Sequence, residues 1–143
     1  KIGVSDGILL KPGQLLPAER ELIETHSTIG SDLVRTVPRL DVLAPVILHH
    51  HERYDGNGYP AKLCEADIPL PSRILCAADA YSAMIEERPY RAALTPEEVR
   101  AELERTSGSQ FDPQVVEALL RVLDRPGALL GAQEELFGVR AEG

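Results

Sequence analysis

The chain has 143 residues, of which 43% are hydrophobic and 27% are charged, and its formal net charge is -8. This composition is typical of one globular domain, and the length is sufficient for a single buried core. An acidic balance argues against broad binding to DNA or RNA, because that binding needs a basic surface that displaces phosphate counterions. It does not exclude a small phosphate ligand, since bound metal ions can set the charge of a local site.

Cysteine use and hydrophobicity indicate a compartment. Cys64 and Cys76 form no CxxC pair, and two unrelated thiols fit a reducing compartment better than an oxidising one. No apolar stretch approaches the ~20 residues that a membrane span needs. Residues 1–7 lack the apolar core of a signal peptide. The sequence therefore predicts a cytoplasmic location and no membrane segment.

Hydrophobic periodicity predicts an all-α fold of about five helices, and no segment shows the alternation of a strand. Residues 1–16 are expected to form loop and turn, after which a first helix spans residues 17–37. A second helix is predicted to begin between Asp41 and Pro45. It is expected to run through three histidines to about Arg53, where glycine-containing turn pairs end it.

Three more helices are expected in the second half of the chain. After an irregular loop over residues 61–70, the third helix covers residues 71–87 and is apolar nearly all round, so it should be central. A capping box that starts at Thr95 begins the fourth helix, and Asp112 followed by proline begins the fifth. Residues 126–143 are predicted to be a tail that folds back or is loosely ordered.

Three consecutive histidines, His49 to His51, are the first candidates for chemistry. Side chains of neighbouring helical residues diverge by about 100°. All three therefore cannot converge on one point, although two of them could ligate metal ions lying side by side. The alternative interpretation is a solvated polar helix end.

A carboxylate and a fourth histidine complete the candidates. Asp79 lies in the most apolar part of the third helix, where a buried carboxylate is costly unless a cation or hydrogen bonds satisfy it. A metal ion would satisfy it, and the alternative is a buried salt bridge to Arg73 or Arg88. His26 on the first helix, considered alone, is more often a core or boundary histidine than a ligand. Imidazole together with carboxylate suits iron, manganese or zinc, and helix bundles often bring such ligands together.

Residues 50–60 fit the pattern HHExxDGxGYP at every specified position. This pattern resembles the signature of HD-GYP domains, a family of helical, metal-dependent phosphohydrolases that act on bacterial cyclic di-GMP. Four other segments resemble the family's KPG, HxxxG, RPY and GxxFDP motifs: residues 11–13, 26–30, 88–90 and 108–113. The similarity spans roughly residues 1–123, nearly the whole chain.

The resemblance implies a metal centre. His26, His50, His51 and Asp79 match the family's metal ligands, in a site that holds two or three divalent ions, most often iron or manganese. These residues would be this chain's share of the metal cage. His49 lies outside the matched motif and is predicted to be a bystander.

The resemblance also implies residues that contact the substrate. Lys1, Arg88 and Arg91 match positions that bind substrate phosphates, and Lys1 belongs to the family's catalytic HDxGK motif. Considered alone, a lone arginine would be interpreted as solvated surface charge. The loop after the histidines contributes five motif residues: Asp55, Gly56, Gly58, Tyr59 and Pro60. By resemblance, this loop lies beside the site and can bind partner proteins such as diguanylate cyclase (GGDEF) domains.

The chain departs from the family pattern at two places. Residues 1–3 resemble the end of the HDxGK motif, which would place that motif's His and Asp before residue 1. Residues 1–125 are therefore predicted to be the C-terminal part of an HD-GYP domain, inactive alone and with apolar surface exposed on the third helix. Ser82 stands where the family often has an acidic residue, so this position cannot supply that charge.

The complete protein is thus predicted to hydrolyse cyclic di-GMP to pGpG or GMP, as part of a signalling protein such as a response regulator. The alternative is a catalytically inactive HD-GYP module that acts as a sensor or a protein-docking domain. An intact upstream His-Asp pair would favour catalysis over docking. A third possibility, another HD-type nucleotidase or phosphatase, is disfavoured by the complete GYP loop and the RPY segment.

Overall fold

The computed structural model describes residues 2–9, 11, 13–87 and 92–125. The predicted all-α fold is confirmed, and no β-strand occurs among these residues. The α-helices are α1 (Asp6–Leu9), α2 (Pro17–Arg35), α3 (Ala44–Leu48), α4 (Leu70–Ile85), α5 (Pro96–Thr106) and α6 (Pro113–Leu123). Two short 3-10 helices, Asp41–Leu43 and Glu65–Asp67, precede α3 and α4.

The predicted helix starts at Thr95 and Asp112 are confirmed. The N–H of Glu98 donates to the Thr95 hydroxyl at 3.3 Å, and the N–H of Thr95 donates to the Glu98 carboxylate at 2.8 Å. This reciprocal pair satisfies two of the N–H groups that the start of a helix leaves unpaired. At the start of α6, the Asp112 carboxylate accepts the N–H of Gln114 at 2.8 Å. The short polar side chains therefore set both boundaries.

The predicted second helix is shorter than expected. The expectation that it runs through His51 to about Arg53 is wrong, because α3 ends at Leu48. His49 has φ −106° and ψ 13°, and its carbonyl accepts the N–H of Glu52 at 3.1 Å. The chain thus makes a turn at the histidines, and the three side chains are released from helical spacing.

The N-terminal segment also differs from its prediction. Residues 1–16 were expected to be loop and turn, but α1 occupies Asp6–Leu9. A helix of four residues is shorter than one hydrophobic repeat, so periodicity carries no signal for it. The predicted tail, residues 126–143, lies outside the described residues.

The hydrophobic core lies between α4, α5 and α6. Its buried members are Ala77, Met84, Val99, Leu103, Phe111, Val115 and Val116. The prediction that α4 is central is supported, since it packs against α3, α5 and α6. Four of its large side chains are nevertheless 40–50% exposed, namely Leu70, Ile74, Leu75 and Ile85.

Polar contacts connect α4 to the helices on either side. The buried Ser72 hydroxyl donates to the carbonyl of Val46 in α3 at 3.2 Å. One residue further on, Arg73 donates to Asp112 at the start of α6 at 2.5 Å. Helix α3 and the start of α6 are therefore both held against α4. In the described part of the chain, every helix is too short or too polar to cross a bilayer.

Candidate metal centre

Three of the predicted ligands converge. His26 is buried in the middle of α2, and His50 and His51 project from the turn that follows α3. One ring nitrogen from each of these residues, together the histidine cluster, lies within 4.8 Å of the other two. His26 Nε2 lies 3.1 Å from His51 Nε2.

The early end of α3 explains the convergence of His50 and His51. Within a helix their side chains would diverge by about 100°. In the turn, their ring centroids lie only 3.9 Å apart, with 39° between the ring planes. As expected, the three consecutive histidines do not all converge, since His49 is outside the cluster, while the turn brings the other two closer together than helical spacing would.

Backbone carbonyls orient two of the imidazoles. His26 Nδ1 lies 2.5 Å from the carbonyl of Ile23, and His50 Nδ1 lies 2.6 Å from the carbonyl of Ile47. A carbonyl oxygen only accepts, so each Nδ1 carries a proton and donates it. In the neutral ring, Nε2 then keeps its lone pair, which is the usual arrangement of a metal-binding histidine.

The spacing of the nitrogens fits a metal ion. A nitrogen ligand lies about 2.1 Å from a transition metal, so two ligands at a right angle lie about 3.0 Å apart. The 3.1 Å between His26 Nε2 and His51 Nε2 is close to this value. The donor chemistry and the geometry of the histidine cluster therefore fit a transition-metal ion.

Gly30 permits the close approach of α2 and α3 that forms the cluster. A Cβ atom at Gly30 would lie 3.1 Å from the Ile47 side chain, which is tighter than ordinary van der Waals contact. The glycine sits one helical turn after His26, so the backbone of α2 can pack directly against α3 at this level. Close packing of α2 on α3 thus explains the glycine of the predicted HxxxG motif.

Asp79 lies beside the histidine cluster but outside the group of three converging nitrogens. It lines a cavity of about 310 Å³ together with Ile2, His26, Gly30, Ile47, His50, His51 and Leu75. The expectation that its carboxylate is buried is wrong, because Asp79 is exposed. It belongs to the face of α4 that also carries the exposed Leu75.

The motif loop packs against His51. The Tyr59 ring lies 4.9 Å from the His51 ring, between centroids, with 31° between the planes. Burial, and to a smaller extent the negative charge of Glu24, raises the pKa of the Tyr59 hydroxyl to about 12. The hydroxyl therefore stays protonated at neutral pH. Tyr59 is joined to Pro60 by a cis peptide bond.

Glycine is required at two positions of this loop. Gly56 has φ +77°, a conformation that L side chains rarely adopt. At Gly58, a Cβ atom would lie 2.3 Å from the backbone nitrogen of Arg53, which no real side chain could do. Asp55 closes the turn by accepting Arg53 Nε at 3.0 Å and Nη2 at 2.7 Å. The Arg53 guanidinium holds the pKa of the Asp55 carboxyl well below its usual range.

A second, larger cavity of about 720 Å³ opens on the Tyr59 side of His51. Its polar and charged lining includes Arg20, Glu24, Arg53, Lys62 and Gln110. Cys76 also lines it, and burial, followed by the charge of Asp79, raises the pKa of that thiol to about 11. No sequence motif indicated this cavity, because its walls come from α2, the motif loop and α4.

Three predicted site residues are not described by the structure, and one buried residue near the site was not predicted. Lys1, Arg88 and Arg91 lie outside the described residues. His49 is outside the histidine cluster, and its Nδ1 lies 3.5 Å from a carboxylate oxygen of Glu52. Glu52 is only 2% exposed. It belongs to the matched motif, but no role was predicted for it.

Comparison with known proteins identifies the family. Residues 5–115 match the model of the HD domain, so the chain belongs to the HD domain family. Its predicted resemblance to the HD-GYP proteins within that family is confirmed by the relatives. A cyclic di-GMP phosphodiesterase of Thermotoga maritima is 44% identical over 85% of this chain and 34% of its own length. The cyclic di-GMP phosphodiesterase response regulator RpfG of Xanthomonas campestris is 42% identical over 85% of this chain and 32% of its own length.

A solved structure shows the same fold. The crystal structure of a cyclic GMP-AMP specific phosphodiesterase from Vibrio cholerae superposes with a TM-score of 0.68 and 31% sequence identity. The match covers 86% of this chain and 28% of that chain. The present chain thus spans about a third of the length of the relatives that it matches.

Proposed function

We propose that the protein containing this chain is a metal-dependent phosphodiesterase that hydrolyses cyclic di-GMP to pGpG or GMP. The observation that carries the proposal is the orientation of the histidine cluster. Two Nδ1 atoms donate to backbone carbonyls, and one ring nitrogen from each of the three histidines lies within 4.8 Å of the other two. This is the arrangement that a neutral histidine needs in order to ligate a metal ion.

His26, His50, His51 and Asp79 are the proposed metal ligands of this chain. Imidazole and carboxylate donors suit iron and manganese, and the proposed centre holds two or three such ions. When bound, these ions would polarise the phosphate oxygens and lower the pKa of water, which suits phosphodiester hydrolysis. The backbone carbonyls of Ile23 and Ile47 fix two of the imidazoles before metal binds, so little reorganisation is needed.

Fixed cations complete the proposed site. Lys1, Arg88 and Arg91 are proposed to contact the substrate phosphates, with Lys1 taking part in catalysis. Charge-assisted hydrogen bonds to phosphate are stronger than neutral ones, and they stabilise negative charge that develops in the transition state. The role of these residues rests on the family resemblance of their motifs.

A second candidate substrate is 3'3'-cyclic GMP-AMP. The solved structure that shares the fold is described as specific for cyclic GMP-AMP. Relatives named 3'3'-cGAMP-specific phosphodiesterases are 36–37% identical to this chain, and those named for cyclic di-GMP are 34–44% identical. The relatives at 44% and 42% identity are both named for cyclic di-GMP, which favours that substrate.

The proposal is tested on the full-length protein loaded with iron(II) or manganese. Hydrolysis of cyclic di-GMP and of 3'3'-cyclic GMP-AMP is followed by chromatography of the products. Faster turnover of cyclic di-GMP, lost on chelation and restored by metal, supports the proposal. Absence of hydrolysis of both substrates by the metal-loaded protein contradicts it. A diguanylate cyclase domain that still binds through residues 55–60 would then favour the docking alternative.

A further inference from the structure

The carboxylate of Glu52 is buried beside the histidine cluster, although the proposed reaction makes no use of it. Its side chain is 0% exposed. One oxygen accepts the N–H of Ala61 at 2.7 Å, and the other has no hydrogen-bond partner among the described residues. The first oxygen also lies 3.5 Å from His49 Nδ1, and burial of an incompletely paired carboxylate is unfavourable. The fold therefore keeps this group at a cost to stability.

The hydrogen bond to Ala61 connects Glu52 to the motif loop. Ala61 directly follows the Tyr59–Pro60 corner. The N–H of Tyr59 donates to the carbonyl of His51 at 3.3 Å. The absent side chain of Gly58 lets the loop backbone lie against the backbone of Glu52, where a Cβ atom would be 2.5 Å from the Glu52 Cα. Hydrogen bonds from Tyr59 and from Ala61 thus attach the loop to the His51–Glu52 segment.

The corner in turn presents the Tyr59 ring to the His51 imidazole. The two rings are tilted by only 31° at a centroid distance of 4.9 Å, so they are partly stacked. The same tyrosine lies 6.4 Å from the His26 ring, between centroids. His51 is therefore in contact with both rings, which lie on adjacent sides of its imidazole.

We propose that Glu52 is a positioning residue for the metal centre. Through the Ala61 N–H, it holds the Tyr59–Pro60 corner so that the Tyr59 ring keeps His51 Nε2 directed at His26 Nε2. Backbone carbonyls do the same for His26 and His50. This inference rests on the proposed metal site, because it assigns a function to the order of the histidine cluster.

The test measures metal affinity, independently of catalysis, in the full-length protein. Co²⁺ binding is followed by its visible absorption and by competition with a chelator. Glu52→Ala removes the acceptor for Ala61, whereas Glu52→Gln keeps an acceptor oxygen of similar shape. Tyr59→Leu removes the ring, whereas Tyr59→Phe keeps it. Glu104→Ala, an exposed carboxylate on α5, is the matched control.

Glu52→Ala and Tyr59→Leu are expected to weaken Co²⁺ affinity about 10- to 100-fold, the range typical of groups that orient a ligand. Glu52→Gln, Tyr59→Phe and Glu104→Ala should stay close to the wild type. Both residues act through one contact. The double variant Glu52→Ala/Tyr59→Leu should therefore bind Co²⁺ about as tightly as the single variant that has the lower affinity. If Glu52→Ala loses its helical circular dichroism, the two Tyr59 variants decide the outcome.

Three results would overturn the inference while the metal site stands. These are wild-type affinity in Tyr59→Leu, an equal loss in Glu52→Gln and Glu52→Ala, and full additivity in the double variant. Failure of the wild-type protein to bind Co²⁺ would instead reject the proposed metal site, and the positioning role with it.

Discussion

Arg73 Nη1 lies 2.5 Å from Asp112 Oδ2, and this ion pair joins α4 to the first turn of α6. Asp112 is 2% exposed and also caps α6. The pairing bears on Asp79, for which a salt bridge to Arg73 was one alternative to metal ligation. Among the described residues, the guanidinium of Arg73 contacts Asp112 and not Asp79. Asp79 instead lines the cavity beside the histidine cluster.

Arg73→Ala should destabilise the protein by roughly 3–5 kcal/mol, the cost typical of removing one partner of a buried ion pair. Chemical denaturation checks this value. Arg105→Ala is the control, because Arg105 forms an exposed pair with Glu102 whose contribution is about 0–1 kcal/mol. Equal losses in the two variants would mean that the Arg73–Asp112 pair adds nothing to stability beyond a surface pair.

His50→Ala and Asp79→Ala should each abolish hydrolysis of cyclic di-GMP with little loss of helical content. Each change removes a proposed ligand, while the core between α4, α5 and α6 is untouched. Metal analysis, product chromatography and circular dichroism on the full-length variants check this prediction. Asp32→Asn, an exposed carboxylate on α2, is the control. Wild-type turnover by a metal-free Asp79→Ala protein would disprove the ligand assignment.

Much of the fold could be predicted from local signals. The start of α5 follows from the capping box at Thr95, and the start of α6 follows from Asp112 before a proline, because both signals act within four residues. The end of α3 could not be predicted in this way. It depends on the turn at His49, which is joined to the motif loop through the buried Glu52.

The same limit applies to the candidate site. The motif identified His50 and His51, but their convergence with His26 depends on the close packing of α2 on α3 at Gly30. The exposure of Asp79 was missed for a related reason. An apolar sequence around a residue indicates that its helix is mostly apolar, but not which face a neighbouring element covers.

Arg88→Ala and Arg91→Ala should weaken substrate binding while metal content stays at the wild-type level. A charge-assisted contact to phosphate contributes roughly 1.5–3 kcal/mol, which corresponds to a loss of about ten- to a hundred-fold. Calorimetry with cyclic di-GMP and metal analysis on each variant check both halves of the prediction. Unchanged affinity would assign both arginines to solvated surface charge.

Asp55→Asn should destabilise the protein at neutral pH, because Asp55 accepts two hydrogen bonds from Arg53 and one from the N–H of Asn57. The folded-state pKa of Asp55 is lowered, so its stabilising contribution is complete above the unfolded pKa of about 3.9. The contribution is lost as the pH falls through the folded-state pKa. Denaturation at several pH values should show a constant gap between wild type and variant from pH 7 to about 5, and a smaller gap below about 4. A gap that widens on acidification would contradict this account.

Cys64 and Cys76 should react with iodoacetamide at very different rates. The nucleophile is the thiolate, and burial together with the charge of Asp79 raises the pKa of Cys76 to about 11. At pH 8, only about one Cys76 thiol in a thousand is then ionised. Cys64 is exposed, whereas Cys76 is half-buried, so Cys64 should be alkylated first. Mass spectrometry of peptides from the metal-free protein follows both sites.

Asp79→Asn should speed the reaction of Cys76, because it removes the negative charge that opposes ionisation of the thiol. Equal rates at the two cysteines of the native protein would contradict the raised pKa of Cys76.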